Sequence, residues 1–351
     1  MPDLAREVAV LRADLRALGC FERPLARFVA TWIALFVVAC AGLAGCVALP
    51  GLLLKTLAFA VSTYGVVSLA TMGHTASHGG AGDGRLGNQI LYHLTHPFLI
   101  QLSARYWTWS HVQVHHPAPN VVGIDIDCDL RPLFAVNQQH AAGQRWVRFQ
   151  GVLLPLLLPF NGFNIVRQGW ARLLTELFTP SLRSAGAWID LFCMLAHLAV
   201  WLILPMFFFP PLAVLGFYAL RVSAIGCVLF AVLAPGHYPA AAVCLDGSQR
   251  DAGDFWLRQL ACTANFRTGF FGRVLCSGLD QQIEHHLFPT LSHLQLPRAR
   301  PLVRAFCARN GLPYNELSWA RAIWESYRVF LKPKPVLADV ESLRRASELV
   351  S

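Results

Sequence analysis

Histidines that could bind metal ions are concentrated in three short segments of the chain. Imidazole nitrogens are good ligands for iron, zinc and copper. Two histidines four residues apart lie on one face of a helix, so both rings can point at the same ion. The clusters are His74-x-x-x-His78, His111-x-x-x-His115-His116 and Gln282-x-x-His285-His286, and the lone His237 stands between the second and third.

The clusters and His237 together supply eight rings, more than one metal ion needs. Two ions are therefore the economical interpretation. Soluble di-iron bundles use Glu-x-x-His pairs, but this chain contains no Glu-x-x-His, and no glutamate lies between Glu22 and Glu176. These features predict two ions bound almost entirely by histidine. The other histidines stand singly and are interpreted as polar end groups, namely His93, His96, His140, His197 and His293.

Acidic and amide side chains beside the clusters are candidates for supporting roles. Asp125, Asp127 and Asp129 alternate with apolar residues just after the second cluster. Such carboxylates can accept the second ring N–H of a ligating histidine, or they can form a solvated turn, and both interpretations stay open. The same two interpretations apply to Glu284. Gln282 is a poor metal ligand, but its amide can hydrogen-bond to a metal-bound water.

The elements that must position these clusters are strongly apolar. Hydrophobic residues make up 55% of the chain and charged residues 14%, whereas about one quarter of a typical soluble domain is charged. An apolar run of about 20 residues crosses a bilayer as a helix. Four such runs occupy about 26–49, 51–72, 186–209 and 211–233. We therefore expect an all-α integral membrane fold of one domain, residues 1–351, with four transmembrane helices in two hairpins.

The charges predict how these spans are oriented. Basic residues stay on the cytoplasmic side, and the two hairpin turns carry only Lys55. The segments 73–185 and 234–351 are rich in arginine, so we expect them to form a helical cytosolic cap that holds the di-metal site. Both termini are then cytoplasmic. Two shorter apolar stretches, 90–102 and 152–160, are expected to lie in the membrane interface.

The composition also argues against several other classes of protein. The net charge of +9 could attract nucleic acid, anionic lipid or an acidic protein, but no nucleic-acid-binding module is recognisable. The ten cysteines include no C-x-x-C pair, so neither a zinc ribbon nor a disulfide framework is expected. Residues 1–26 mix acidic and basic side chains, unlike a cleavable signal peptide.

The three clusters resemble the three histidine boxes of the membrane fatty acid desaturases. Pro119-Asn120 and the following aspartates are similar to the stretch after the second box of front-end desaturases. The segment from Gln282 to Pro289 is similar to their third box, in which Gln replaces the first His. The resemblance covers roughly residues 28–315, and the combination of three boxes is highly specific.

This resemblance implies a mushroom-shaped fold whose cytosolic cap holds two irons, with His237 as a further ligand. It also implies oxygen-dependent desaturation of a fatty acyl chain, carried as acyl-lipid, acyl-CoA or on acyl carrier protein. Thr75 and Asp280 depart from the family pattern, which commonly has an acid and Asn there. Asp280 is expected to act through a hydrogen bond or a water. No His-Pro-Gly-Gly haem motif of a fused cytochrome b5 domain occurs.

Electrons must then come from a separate carrier such as ferredoxin or cytochrome b5. Such carriers are typically acidic, and arginines of the cap could attract either them or anionic lipid. Zinc could replace iron in overexpressed protein. A hydroxylase, ketolase or acetylene-forming enzyme on the same scaffold is an alternative, because the ligands would be identical. A non-catalytic metal-binding membrane protein and a zinc hydrolase are further alternatives. The arginines concerned are Arg258, Arg267, Arg273, Arg298, Arg300 and Arg304.

Overall fold

The computed structural model describes residues 4–247 and 255–338, and these are mostly helical. The first eight helices are α1 (Leu4–Ala17), α2 (Leu25–Ala48), α3 (Leu52–Ser77), α4 (Arg85–Thr95), α5 (Pro97–Ile100), α6 (Ala104–Trp107), α7 (Gln138–Ala141) and α8 (Gln150–Leu157). The others are α9 (Asn161–Phe178), α10 (Ala185–Leu198), α11 (Pro211–Leu233), α12 (Phe255–Ala261), α13 (Phe270–Cys276), α14 (Gln282–Leu287), α15 (Leu296–Arg309) and α16 (Trp319–Arg328).

The four apolar runs predicted to span the membrane all form long helices. The first two are α2 and α3, and the third is α10 together with its continuation to Phe207. The fourth begins with α11 and runs from Pro211 to Gly236. The first and second runs form one hairpin, and the third and fourth form another. The first hairpin has a tight turn at Gly51, whose φ of 72° suits glycine. The expected all-α, multi-pass membrane class is confirmed.

A fifth segment, Arg145–Phe178, is also long and apolar enough to cross a bilayer. The sequence placed only its apolar part, 152–160, in the interface. In the structure this part belongs to a longer run, in which short 3₁₀ turns precede and follow α8 before α9 begins. Pro155 lies inside α8, and Arg145, Arg148, Arg167 and Arg172 lie along the run.

Two small parallel sheets lie outside the four apolar runs, and the sequence pattern did not reveal them. One sheet has the order β1-β2-β5, and the other pairs β3 with β4. The pairing of β1 with β2 joins the segment after the second histidine cluster to the segment after His237. The strands are β1 (Val121–Val122), β2 (Cys244–Asp246), β3 (Asn265–Arg267), β4 (Glu316–Ser318) and β5 (Val336–Leu337).

Small residues allow the first two spans to pack closely. A side chain at Gly42 would lie 2.7 Å from the Ala58 carbonyl oxygen, and one at Gly65 would lie 2.8 Å from the Ala39 backbone nitrogen. The Ser62 hydroxyl also donates to the Ala39 carbonyl oxygen at 2.9 Å. Lipid gives helices no hydrophobic reason to associate, so close backbone contact of this kind holds membrane hairpins together.

We therefore expect Gly42→Ala to destabilise the protein by about 1–3 kcal/mol, because the added methyl group forces two helix backbones apart. The change should appear as a lower midpoint in thermal unfolding of the detergent-solubilised protein. Gly216→Ala in α11 is the matched control, because within the described chain a methyl group there meets no atom within 4 Å. Equal losses for both variants would contradict the close packing of α2 and α3.

Candidate metal centre

The first histidine cluster stands at the end of α3, beyond the predicted span. His74 lies in the last turn of α3, and His78 is the residue that ends it. Their ring centroids are 5.0 Å apart, so both rings face the same side, as the spacing of four predicts. A helix of 26 residues is about 39 Å long at 1.5 Å per residue. It therefore crosses the hydrocarbon and carries this pair to the membrane surface.

The second cluster lies on a wider turn than the sequence suggested. Residues Thr108–His115 form a π-helix that continues α6. The backbone N–H of His116 donates to the carbonyl oxygen of His111 at 3.0 Å, five residues back. The ring nitrogens Nε2 of these two residues lie 3.1 Å apart. A π-turn, often found at functional sites, thus brings His111 and His116 together in addition to the expected pair of His111 and His115.

The seven histidines of the three clusters and His237 lie together in the structure. The third cluster meets the first two across the cap, with Nε2 of His285 lying 3.0 Å from Nε2 of His116. Nε2 of His74 lies 2.8 Å from that of His111. The rings divide into two groups, in each of which the candidate ligand atoms lie within 4.8 Å of one another. The larger group is His74, His78, His111, His116 and His285, and the smaller is His115, His237 and His286.

The protonation of these rings suits metal binding. Burial lowers the pKa of His78 and of His237 to about 3. Burial, together with the other rings, holds the pKa of four more well below its usual range, so these rings are neutral near pH 7. The four are His111, His116, His285 and His286.

Several ring nitrogens still need a partner. Among the described residues no hydrogen-bond partner exists for the buried atoms His78 Nε2, His237 Nδ1 and His286 Nε2. Buried polar atoms without partners are costly. Neutral rings that converge with free lone pairs are what a metal ion requires. The residues of this centre therefore fit two histidine-bound metal ions.

Asp125 has the geometry predicted for a carboxylate that supports a ligating ring. Nδ1 of His115 donates to its Oδ2 at 2.9 Å, and the backbone N–H groups of Asn120 and Asp127 also donate to it. Burial acts to lower the pKa of His115, but the Asp125 carboxylate outweighs it and raises this pKa to about 9. Without a metal the ring therefore carries protons on both nitrogens near pH 7, and a metal ion that binds Nε2 must displace the proton there, while the hydrogen bond to Asp125 keeps the proton on Nδ1.

The neighbouring acids differ from Asp125. Asp127 lies 3.5 Å from His115 Nδ1, but its side chain is half exposed. Asp129 pairs with Arg131 at 2.6 Å, which matches the solvated-turn interpretation. Glu284 is buried and accepts hydrogen bonds from Asn265 and Tyr314.

Two further residues predicted to support the site lie beside the third cluster, but in the described residues neither side chain hydrogen-bonds to a histidine ring. Asp280 accepts from the Thr268 hydroxyl at 2.8 Å. Gln282 packs against Gly236, so close that a side chain at Gly236 would overlap it. Among the described residues, its buried Oε1 has no hydrogen-bond partner. Gln282 thus keeps one amide oxygen for a water molecule or another donor.

Gln259 on α12 is a supporting residue that the sequence analysis missed. Its Oε1 accepts from His286 Nδ1 at 3.0 Å, and its Nε2 donates to the His116 carbonyl oxygen at 3.0 Å. The first bond fixes the proton on Nδ1 and leaves Nε2 of His286 for a metal. No motif marks Gln259, since it lies 27 residues from His286.

The backbone around His237 is also fixed by distant residues. Its carbonyl oxygen accepts from Asn120 Nδ2 at 2.9 Å and from Lys334 Nζ at 2.8 Å. Lys334 is buried and donates also to the Ala242 carbonyl oxygen at 2.6 Å. These bonds hold the turn after α11, and with it the ring, against the second cluster.

A carboxylate inside the third span anchors the helix that carries the second cluster. Asp190 accepts from the Ser103 hydroxyl at 2.6 Å and from the backbone N–H groups of Ala104 and Arg105 at 3.0 Å. These N–H groups begin α6 and have no partner within the helix. The buried Glu176 reinforces this anchor by pairing with Arg105 at 2.7 Å.

The single histidines lie outside both groups. Nδ1 of His197 donates to the Phe98 carbonyl oxygen at 2.7 Å, and its Nε2 lies 2.8 Å from the Tyr218 hydroxyl. His293 lies 3.2 Å from the Thr75 hydroxyl. These contacts are structural and join parts of the bundle.

The fold and the two groups of rings define an integral membrane protein of the histidine-cluster type. The family model described as fatty acid desaturase matches residues 53–318. This match covers most of the chain and includes all three clusters. The chain belongs to the fatty acid desaturase family.

Individual relatives point to the same family. The chain is 30% identical over 261 residues to the Delta(5) fatty acid desaturase fat-4 of Caenorhabditis elegans, covering 72% of this chain and 57% of that protein. It is 28% identical to the mouse fatty acid desaturase 2-like protein FADS2B, covering 63% and 45% respectively. The sn-1 linoleoyl-lipid 6-desaturase of Synechocystis is 27% identical, with 73% and 74% covered. The chain thus spans about half the length of the first two relatives.

Removing the Gln259 side-chain amide should weaken metal binding. We expect Gln259→Leu to lower metal affinity by about 10–100-fold, because His286 loses the group that fixes its proton. Metal content and competition with a chelator measure the effect. Gln150→Leu is the matched control, since the buried Gln150 makes two comparable bonds, both to Ala135. If both variants lose metal equally, the effect is one of general stability and Gln259 has no such role.

Proposed function

We propose that this protein is an oxygen-dependent desaturase that introduces a double bond into a fatty acyl chain at a histidine-bound di-iron centre. The observation that carries the proposal is the meeting of the three clusters and His237 in two groups of rings, which are buried apart from the partly buried His78. Membership of the fatty acid desaturase family supports the same reaction. The proposed ligands are His74, His78, His111, His115, His116, His237, His285 and His286.

The two ions would be shared between the two groups of rings, and bound iron would supply the activation of dioxygen. The residues of the chain orient the ligands. Asp125 and Gln259 hold protons on the Nδ1 atoms of His115 and His286, so that both rings present Nε2. The centre is almost fully buried, which keeps bulk water from the reacting carbon atoms. For Asp127, Asp280, Glu284 and Gln282 we propose support through hydrogen bonds or water.

The balance of the reaction requires an external source of electrons. Desaturation removes two hydrogen atoms from neighbouring carbons, and dioxygen takes these with two further electrons and two protons to form two waters. We propose that a separate carrier of the ferredoxin or cytochrome b5 class supplies these electrons to the cytosolic cap. Arginines of the cap would attract an acidic carrier.

The substrate class follows from the relatives. Their names give fatty acids and, for the Synechocystis protein, a linoleoyl-lipid as the group acted upon. We propose a fatty acyl chain, supplied as acyl-lipid, acyl-CoA or on acyl carrier protein, and lipid surroundings. The relatives reported above are all named as desaturases or as desaturase-like proteins. The alternative roles are therefore not favoured, namely hydroxylase, ketolase, acetylene-forming enzyme, zinc hydrolase and non-catalytic metal-binding protein.

We further propose four spans, with both termini in the cytoplasm. Residues that contact one another outside the bilayer must lie on the same side of the membrane. The first cluster and the His237 group both contact the second cluster, through the ring pairs His78–His116 and His115–His237, so the chain between His78 and His237 must cross an even number of times. The third and fourth spans supply two crossings. A further crossing by Arg145–Phe178 would place His237 on the opposite side from the second cluster, which is incompatible with its contact with His115.

The first test of the proposal combines metal and product. Purified protein should contain two metal ions per chain, as iron or, after overexpression, as zinc, measured by elemental analysis. Expression in a host with a simple lipid profile should yield a new unsaturated fatty acid by mass spectrometry. His285→Ala should reduce this product to the background of the empty host.

The matched control for this test is His140→Ala, a buried histidine outside both groups. It should retain two ions and most of the product. One ion per chain in well-loaded wild-type protein would exclude the di-iron proposal. A hydroxylated or acetylenic product in place of the alkene would instead exclude desaturation while leaving the metal centre intact.

The second test concerns topology. Short epitope tags inserted at 50 or 210 should be accessible to an impermeant antibody on intact cells, whereas tags at 130 and 181 should be accessible only after permeabilisation. Positions 130 and 181 lie on either side of Arg145–Phe178. Labelling of 181 from outside, with 130 protected, would show that this segment crosses and would overturn the four-span proposal.

A further inference from the structure

We propose that α13 and the turn before it insert into the cytoplasmic leaflet, where Phe270 and Phe271 contact lipid chains and Arg273 contacts an anionic headgroup. This segment lies in the part of the chain that the arginine distribution places in the cytosolic cap, and it leads directly into the third histidine cluster. The proposal concerns a lipid-binding surface and goes beyond the catalytic proposal above.

The hydrogen bonds between α13 and the second span set the depth of this helix. The Tyr64 hydroxyl donates to the Phe271 carbonyl oxygen at 2.9 Å, and the Thr71 hydroxyl donates to the Leu275 carbonyl oxygen at 2.8 Å. The helix α13 therefore runs alongside α3, with its start at the level of Tyr64 and its end at the level of Thr71.

That level lies well inside the membrane. A hydrocarbon core of about 30 Å corresponds to about 20 helical residues, so a core that begins near Leu52, the first residue of α3, ends near Met72. Tyr64 then lies about 12 Å from the cytoplasmic boundary, at 1.5 Å per residue. A carbonyl group bonded to Tyr64 cannot lie in bulk water above the membrane.

The two faces of α13 differ as insertion requires. Leu275 and Cys276 are buried in a cluster with Val66 and Ile225 of the second and fourth spans. Phe270 and Phe271 point the other way and are 75% and 74% exposed. Adjacent exposed phenylalanines are unfavourable in water, but at this depth their surroundings are acyl chains. The exposed face of α13 is thus continuous with the lipid-facing surface of the spans.

The charges around this face suit a lipid headgroup. Arg273 is exposed one turn after Phe270. It makes no salt bridge within 4 Å in the described parts of the chain, although its charge partly offsets the burial that raises the pKa of Asp280. Its long side chain can reach back to the interface while its stem stays in apolar surroundings. By contrast, Arg267 and Arg300 both pair with Glu316. We therefore assign the headgroup contact to Arg273.

The proposal separates the basic residues of the cap into two surfaces. Arg304 lies on α15, which packs on α1 in a core that includes Leu11, Val303 and Phe306 but no residue of the four spans. Arg304 is exposed there. A soluble electron carrier can reach Arg304, whereas lipid should cover Arg273.

Site-specific photocrosslinking tests the insertion. The full chain, with p-benzoylphenylalanine in place of Phe270, is reconstituted in nanodiscs of phosphatidylcholine and phosphatidylglycerol, irradiated, and analysed by mass spectrometry of the intact protein. Phe207, which is 79% exposed at the end of the third span, is the positive control, and Val10 on α1, which is 50% exposed, is the negative control. Position 270 should give lipid adducts at a yield within about threefold of position 207.

The result that overturns the insertion is a yield at position 270 no higher than at position 10, with adducts formed at position 207. The headgroup contact is tested by adding Arg273→Glu to the Phe270 crosslinking variant. The fraction of phosphatidylglycerol among the adducts should fall at least threefold, and Arg304→Glu should leave it unchanged. An equal effect of both charge reversals, or no effect of Arg273→Glu, would exclude a specific contact with Arg273. Failure of either arm is independent of metal content and product formation, so it is distinguishable from failure of the desaturase proposal.

Discussion

Eight imidazole rings, of which seven are buried and that of His78 is partly buried, must meet at one place on the membrane surface, and most of the structure depends on this constraint. The rings come from the end of the second span, a π-helix, the turn after the fourth span and α14. Burial lowers the pKa of the cap rings other than His115, so a metal ion rather than a proton is the suitable partner for their lone pairs. Because the site takes residues from both hairpins and from the cap, it also fixes the positions of these three parts relative to one another. A different number of membrane crossings between them would separate the rings.

The same constraint requires polar anchors within an apolar bundle. The chain leaves the first cluster through α4 and α5, and it ends α5 at Gln101 in a left-handed conformation. The carbonyl oxygen of Phe98 then lacks a helical partner, and His197 and Trp201 of the third span bond to it. Asp190, also in this span, caps the next helix. Polar residues that look out of place in an apolar run thus satisfy the backbone of broken helices, which lipid cannot do.

The sequence predicts those features that local pattern determines. Lipid demands long apolar runs, so the four long helices were identifiable, and a spacing of four placed His74 and His78 on one face. The π-helix was not identifiable, because the spacing of four between His111 and His115 fits an ordinary α-helix equally well. Gln259 was missed for a related reason, since its partners lie far away in the chain. Strands of two or three residues are too short to leave a periodic pattern.

The surroundings of the three aspartates after the second cluster determine which of them supports a histidine ring and which lies in a solvated turn. Asp125 is buried and receives the N–H of His115, whereas Asp129 lies in a turn with Arg131. The difference arises because β1 and the backbone donors of Asn120 and Asp127 surround Asp125. Burial acts to raise the pKa of Asp125, but the His115 ring and these donors outweigh it and lower this pKa, so Asp125 keeps its negative charge. A carboxylate of this kind gives the ring a fixed proton and a stronger donor nitrogen, which no exposed acid at the same spacing provides.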